Sequence, residues 1–350
     1  MFSGLPFGYL FLSVMGTGTL LSVSSIHWLS IWTGLEINLI GFLPLLVYQK
    51  STSESESAVK YFIVQALGSS FLIFGSLMAF ASSFTWDLYS WSHFNLLGLA
   101  VLGAGLSVKL GLFPFHYWLP SVMAGLPWLS CLLLATWQKL APLFLLLCYF
   151  ELTQSYLMIY MFCVISAGSS LIGGFGGMNQ TQIRALLAYS SIGHLGWMSF
   201  AALHSEWVLK VYLIIYVLIS ISMFMSLWMS DSGVMSNINN LKTSAFMQAS
   251  VMLLLLSLGG LPPLLGFISK LLVIMTSSTS PFVVIVFVLI MGSLMSLFYY
   301  LSLFFSFFLS STKKYSLIDT KSNLNSIIII NILNIFGGVA ILLISLVSWV

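Results

Sequence analysis

The chain has 350 residues, of which 59% are hydrophobic and 5% charged, and a formal charge of +3. That is too little polar surface to solvate a soluble globule and too much apolar surface for one core, so lipid must be the solvent for most of it. Its few Lys and Arg are scattered and make no basic patch, which excludes nucleic acid as a partner.

About 20 apolar residues cross a bilayer as a helix, because every backbone group must bond within the segment where water is absent. The hydrophobic runs predict an all-α polytopic membrane protein of about 11 transmembrane helices. Their approximate cores are 3–24, 28–48, 58–83, 94–115, 128–150, 156–176, 181–203, 207–229, 246–273, 281–309 and 326–349. Polar connections are expected at 49–57, 231–244 and 310–325, and residues 1–350 read as a single transmembrane domain.

The first span follows Met1 without a basic n-region, a small-residue cleavage site or an Arg-rich transit pattern, and is expected to stay in the mature protein. The second holds Glu36, the one carboxylate placed well inside an apolar run. The fourth carries Lys109 and is interrupted by Gly111 and Pro114, with His116 directly after the interruption. Lys139 stands near the middle of the fifth, in Thr136-Trp137-Gln138-Lys139-Leu140-Ala141-Pro142. In the seventh, His194 lies one turn beyond Ser190 and Ser191 on one helix face. The ninth is interrupted by Gly259, Gly260, Pro262 and Pro263, and Lys270 follows.

Proline removes a donor and clashes with the preceding turn, so the fourth and ninth spans are expected to be broken helices. They are the fourth members of two successive sets of five, 3–150 and 156–309, with 326–349 an additional C-terminal helix. A repeat with an odd number of spans reverses its orientation, and paired breaks in inverted repeats mark transport sites. Lys50, Lys60, Arg184, Lys242, Lys313, Lys314 and Lys321 fall on one side of the membrane and only Lys210 on the other. By the positive-inside rule the N-terminus then faces the cytoplasm or matrix, and Val350 the opposite side.

A charge at the bilayer centre costs about 2.5–3.5 kcal/mol on insertion scales, so Glu36, Lys109, Lys139 and Lys270 need partners or water. Desolvation lets a lysine give up its proton under working conditions, which an arginine cannot do. Glu36 is expected to pair with Lys109, and because a nearby carboxylate stabilises an ammonium, making or breaking the pair would shift a proton load along the lysines. The plainer alternatives are a static ion pair for these two, a snorkelling Lys139, and a Lys270 that caps carbonyls freed by the helix break. His116 and His194 suit either a proton relay or an interhelical hydrogen bond.

Other features point to packing or orientation. Lys60 and Arg184 lie near span starts, and Trp28, Trp91, Trp128 and Trp207 suit interfacial belts. His27, His93 and His204 are too far apart for a metal site, and Cys131, Cys148 and Cys163 lack the spacing of zinc or iron–sulfur ligands. The run Gly173–Gly177 has no Lys-Ser/Thr of a phosphate loop, and Gly16-Thr17-Gly18 lacks a third glycine at dinucleotide spacing. No nucleotide, metal or other cofactor is expected to bind this chain.

From Ile26 to about Lys270 the chain resembles the NADH dehydrogenase subunit 2 family, the NADH-ubiquinone oxidoreductase chain 2 of animal mitochondria. The resemblance rests on residues 27–38 (HWLSIWTGLEIN), 60–62 (KYF), 109–120 (KLGLFPFHYWLP), 136–142 (TWQKLAP), 179–184 (NQTQIR), 188–197 (AYSSIGHLGW) and 259–263 (GGLPP) through Lys270. Beyond about Thr276 only hydrophobicity and span count agree. Two positions depart from the family's pattern: Ser121 where many relatives have a carboxylate, and Ala185 where a second basic residue is common.

The resemblance implies an antiporter-like subunit in the membrane arm of complex I of the mitochondrial inner membrane, with the matrix at the N-terminus and the intermembrane space at the C-terminus. It implies that Glu36 and Lys109 are the acid–lysine pair, Lys139 the central relay lysine and Lys270 the lysine of the second broken helix. The three additional N-terminal helices of bacterial relatives are expected to be missing here. Other membrane-arm subunits, further antiporter-like ones among them, and membrane lipids are the implied partners. NADH, FMN, iron–sulfur clusters and ubiquinone would be handled in those other subunits. A stand-alone sodium/proton antiporter and a purely structural subunit are the competing readings.

Overall fold

A computed structural model describes residues 7–48, 51–87, 96–153, 155–230, 245–278 and 281–312, with isolated positions at 332, 334, 335 and 337–339. The expected last span at 326–349 lies outside the described residues apart from those positions. So do Trp91, His93, Lys50, Lys242, Lys313, Lys314 and Lys321.

Described residues are helical almost throughout: α1 (Gly8–Ser24), α2 (Trp28–Leu46), α3 (Thr52–Ser83), α4 (Leu96–Leu110), α5 (Trp118–Gly125), α6 (Trp128–Ala135), α7 (Trp137–Leu152), α8 (Tyr156–Met178), α9 (Ile183–His204), α10 (Glu206–Ser230), α11 (Ala245–Gly259), α12 (Leu265–Ser277) and α13 (Val283–Thr312). Among these residues, six stretches are long and apolar enough to cross a bilayer: Trp28–Leu46, Thr52–Ala81, Trp128–Glu151, Tyr156–Met178, Glu206–Trp228 and Val283–Ser306. Large apolar side chains such as Leu20, Ile40, Phe62, Tyr160, Val284 and Phe298 point outward, as lipid requires and water does not allow.

The helices gather into two compact units, Met1–Ile165 and Ser166–Val350. In the first, α1 and α2 form a hairpin whose backbones nearly touch. A Cβ on Gly34 would stand 2.6 Å from the Ser22 nitrogen, the small-residue packing by which helices associate without a hydrophobic drive between them. Helix α3 starts earlier than hydrophobicity predicts, at Thr52 rather than 58. The Ser51 side chain accepts from the Glu54 N–H at 3.2 Å, and Lys60 pairs with Glu56 one turn on. These capping interactions carry polar residues into a helix that apolar counting alone starts too late.

Both expected breaks are present and share one hydrogen-bond pattern. At the end of α4, Leu112 N–H bonds the Ser107 carbonyl at 3.0 Å and Gly111 N–H bonds that of Val108 at 3.2 Å. At the end of α11, Leu261 N–H bonds Leu256 at 3.3 Å and Gly260 N–H bonds Ser257 at 3.1 Å. Each is a Schellman cap closed by a left-handed glycine, Gly111 at φ 78° and Gly260 at φ 81°. Proline then prevents resumption: Phe113–Pro114 and Pro262–Pro263 are cis, and the chain re-enters helix at α5 and α12.

A third interruption was not foreseen. The fifth span, expected to be continuous over 128–150, is divided at Thr136 into α6 and α7. Thr136 donates its hydroxyl to the Leu132 carbonyl at 2.7 Å, and Lys139 N–H reaches back only three residues, to the Thr136 carbonyl at 3.3 Å. Such back-bonding by a threonine bends helices. Pro142 adds to the disturbance, since it leaves the Gln138 carbonyl without its usual donor. Trp28 and Trp128 are buried within the chain, whereas Trp207 is exposed.

Candidate functional site

Each unit contains a small polar cavity lined by lysine. In the first unit the lining comprises Tyr61 and Gln65 of α3, Lys109 and Leu110 at the α4 break, Trp118 and Leu119 of α5, Leu134 of α6, and Gln138 and Lys139 of α7. It leaves about 10 Å³ for the centre of a water molecule, close to what one ordered water occupies. Lys109 and Lys139 therefore face one another's cavity although 30 residues of chain separate them.

Glu36 stands on the rim of this arrangement. Its Oε1 lies 3.6 Å from Lys109 Nζ, an ion-pair contact longer than a hydrogen bond. The lysine side chain is 3% exposed and the carboxylate 25%. Two residues along α2, Asn38 exchanges both hydrogen bonds with Gln138: Asn38 Nδ2 donates to Oε1 at 2.9 Å, and Gln138 Nε2 donates to Oδ1 at 3.2 Å. Tyr61 adds its hydroxyl to the same Gln138 oxygen at 3.3 Å. The helix carrying the acid is thus tied by neutral amides to the residue directly before Lys139.

Breaking α4 frees carbonyls that cost several kcal/mol each if left bare in a membrane interior. Side chains from neighbouring helices satisfy them. The Trp118 indole donates to the Val108 carbonyl at 3.2 Å, and Gln65 Nε2 to that of Lys109 at 3.4 Å. His116 is buried beside the break, with Nδ1 3.1 Å from the Pro114 carbonyl and its ring 4.0 Å from that of Tyr117. It is not among the residues lining the lysine cavity.

In the second unit the cavity is lined by Ser170 of α8, Ser190, Gly193, His194 and Trp197 of α9, Lys270 of α12, and Gly292, Ser293, Ser296 and Tyr300 of α13. It too leaves about 10 Å³ for a water centre. Lys270 donates to the Gly259 carbonyl at 2.9 Å, the group freed at the end of α11. His194 reaches Tyr212 of α10, its Nδ1 2.9 Å from the phenol oxygen. The structure thus brings Lys270 and His194 to one cavity, and Glu36, Lys109 and Lys139 around another.

Sequence reasoning missed Asn38, Tyr61, Gln65, Trp118 and Gln138 in the first unit, and Tyr212, Ser296 and Tyr300 in the second. A single amide inside an apolar span was the available signal for Asn38, Gln65 and Gln138. The tyrosines gave none, because a phenol in a span is ordinary packing until its hydroxyl is located. Among the described residues, no three of His, Cys, Asp and Glu come together as a metal site would need.

A family model described as NADH:quinone oxidoreductase/Mrp antiporter, TM, matches residues 25–296. A protein of Anopheles gambiae named NADH-ubiquinone oxidoreductase chain 2 is 43% identical over 272 residues, 76% of this chain and 75% of its own. Its namesake from Lumbricus terrestris is 39% identical over 268 residues, 75% of this chain and 76% of its own. Among solved structures, a chain of respiratory complex I from Thermus thermophilus with bound aureothin superposes with a TM-score of 0.83 at 25% identity, over 95% of this chain and 78% of that one.

Proposed function

The chain belongs to the NADH-ubiquinone oxidoreductase chain 2 group of the NADH:quinone oxidoreductase/Mrp antiporter family, and from that premise we propose that its buried lysines load and release protons as complex I turns over. It is an antiporter-like subunit of the membrane arm, a multi-pass protein of the mitochondrial inner membrane, assembled with other membrane-arm subunits. It contributes to the oxidoreductase as a subunit, while NADH, FMN, iron–sulfur clusters and ubiquinone are handled elsewhere in the complex. Protons pass from matrix to intermembrane space, with the N-terminus on the matrix side and the C-terminus opposite. The two five-helix sets, 3–150 and 156–309, act as inverted halves.

The observation that carries this reading is the pairing of a lysine-lined, water-sized cavity with a helix break in each unit. An ammonium in such a place must either be held by fixed groups or exchange its proton through water. Around the first cavity, Glu36 stabilises the charged form of Lys109 at 3.6 Å. Withdrawal of the carboxylate favours release into the cavity that Lys139 also lines. In the second, Lys270 holds a carbonyl at rest and His194 stands on the same lining. Moving one charge against 100 mV costs about 2.3 kcal/mol, so the redox chemistry of partner subunits must supply the drive.

The family's name also covers Mrp antiporters, which gives the stand-alone cation/proton antiporter reading a specific basis. Purification and transport separate the two. The chain is expected to co-purify with NADH:quinone oxidoreductase activity, and vesicles holding that complex should acidify on NADH addition in sodium-free buffer. Isolation without the oxidoreductase, with a strict sodium requirement for proton movement, would overturn the assignment.

A further inference from the structure

Tyr300 lies on α13 with 1% of its surface exposed. Its hydroxyl is buried without a hydrogen bond of ordinary geometry, and Ser190 and Tyr299 are the side chains it interacts with. A phenol normally finds a partner when taken out of water, because an unmade hydrogen bond there costs about 1–3 kcal/mol. Tyr300 lines the same cavity as Lys270, His194, Ser190 and Ser296, and that cavity has room for one water. Its neighbour Tyr299 is as deeply buried and also lacks a hydrogen bond of ordinary geometry, but does not line the cavity.

We propose that the Tyr300 hydroxyl is a proton-passing group that works through a cavity water between Lys270 and His194. The proposal rests on the proton-loading role of Lys270 argued above. A proton leaving Lys270 Nζ goes to the water, whose own proton passes to the phenol oxygen as the phenol proton leaves toward the imidazole. One O–H bond forms at Tyr300 as another breaks, so the phenol is neutral before and after and the net change is one proton from ammonium to imidazole. His194 Nδ1 lies 2.9 Å from the Tyr212 hydroxyl, and in the tautomer whose Nδ1–H donates there the step delivers the proton to Nε2. A hydroxyl that is fully satisfied elsewhere would have to break a well-formed bond to do this, whereas that of Tyr300 makes no hydrogen bond of ordinary geometry.

Tyr300→Phe keeps the ring and removes the hydroxyl. In intact complex reconstituted into vesicles, NADH-driven proton pumping is expected to fall roughly tenfold or more, while Tyr299→Phe, which removes a neighbouring hydroxyl outside the cavity lining, loses much less. Equal rates for Tyr300→Phe and the unaltered chain, or equal losses for the two phenylalanine variants, would overturn the proposal. If Tyr300→Phe does not assemble, Ser296→Val, which keeps the phenol and fills the cavity beside it, is expected to give the same loss, and normal pumping by it would count against the water-linked path. Lys270→Met keeps the two claims apart. Should it leave pumping intact, the loading role itself fails; should it abolish pumping while Tyr300→Phe does not, only the tyrosine step falls.

Discussion

Lys270→Arg would keep a cation that can hydrogen-bond the Gly259 carbonyl, yet an arginine cannot release its proton. The complex carrying it is expected to assemble with ordinary thermal stability but to pump poorly, and full pumping would reduce Lys270 to a helix cap. The Asn38–Gln138 amide pair is open to a double-mutant cycle with Asn38→Leu and Gln138→Leu. Thermal unfolding in detergent should give a coupling of about 1 kcal/mol, with no coupling expected if the pair were incidental. The charged residues of both cavities were legible in the sequence because a charge within an apolar run has few bland explanations. Asn38, Gln138 and Tyr300 were not, since a neutral polar group becomes informative only when its partner, or its lack of one, is seen. For His116, a place after the break suited a relay or an interhelical hydrogen bond equally, and the ring lies against the Pro114 carbonyl and Tyr117 of its own turn.

At the scale of helices, the two breaks depend on glycines with positive φ, where a Cβ costs about 1–2 kcal/mol. Gly260→Ala should do more harm than Gly111→Ala. Its Cβ would lie 2.9 Å from Lys270 Nζ and disturb the cap as well as the turn, whereas at Gly111 the nearest atom is a Leu119 methyl at 3.1 Å. Comparison of melting temperatures and pumping rates for the two variants checks this order, and equal effects would show that the lysine contact is immaterial. Both breaks could be read from Gly and Pro, which forbid a continuous helix wherever they fall together. The division at Thr136 could not, because threonine interrupts a helix only when its hydroxyl turns back to the preceding carbonyl. That interruption sets Lys139 at the start of α7 instead of mid-helix, and it changes how the central lysine is presented to its cavity.

For the whole molecule, composition alone places the chain in lipid, and the order of breaks and lysines points to a transport protein. The Glu36–Lys109 contact was expected from the sequence; what it withheld was the wider grouping, Lys139 on the same cavity as Lys109 and Lys270 with a histidine and a tyrosine at the second. Such groupings arise from helix pairing through small residues such as Gly34, which leaves no distinctive pattern in hydropathy. The central claim is that these ammonium groups exchange protons instead of only bracing helices, and it is tested most directly at Lys139. Complex carrying Lys139→Met, shown to be fully assembled and placed in sealed vesicles, should lose most of its NADH-driven acidification. Unchanged proton pumping per NADH oxidised by that variant would contradict the account and leave the chain a structural member of the arm.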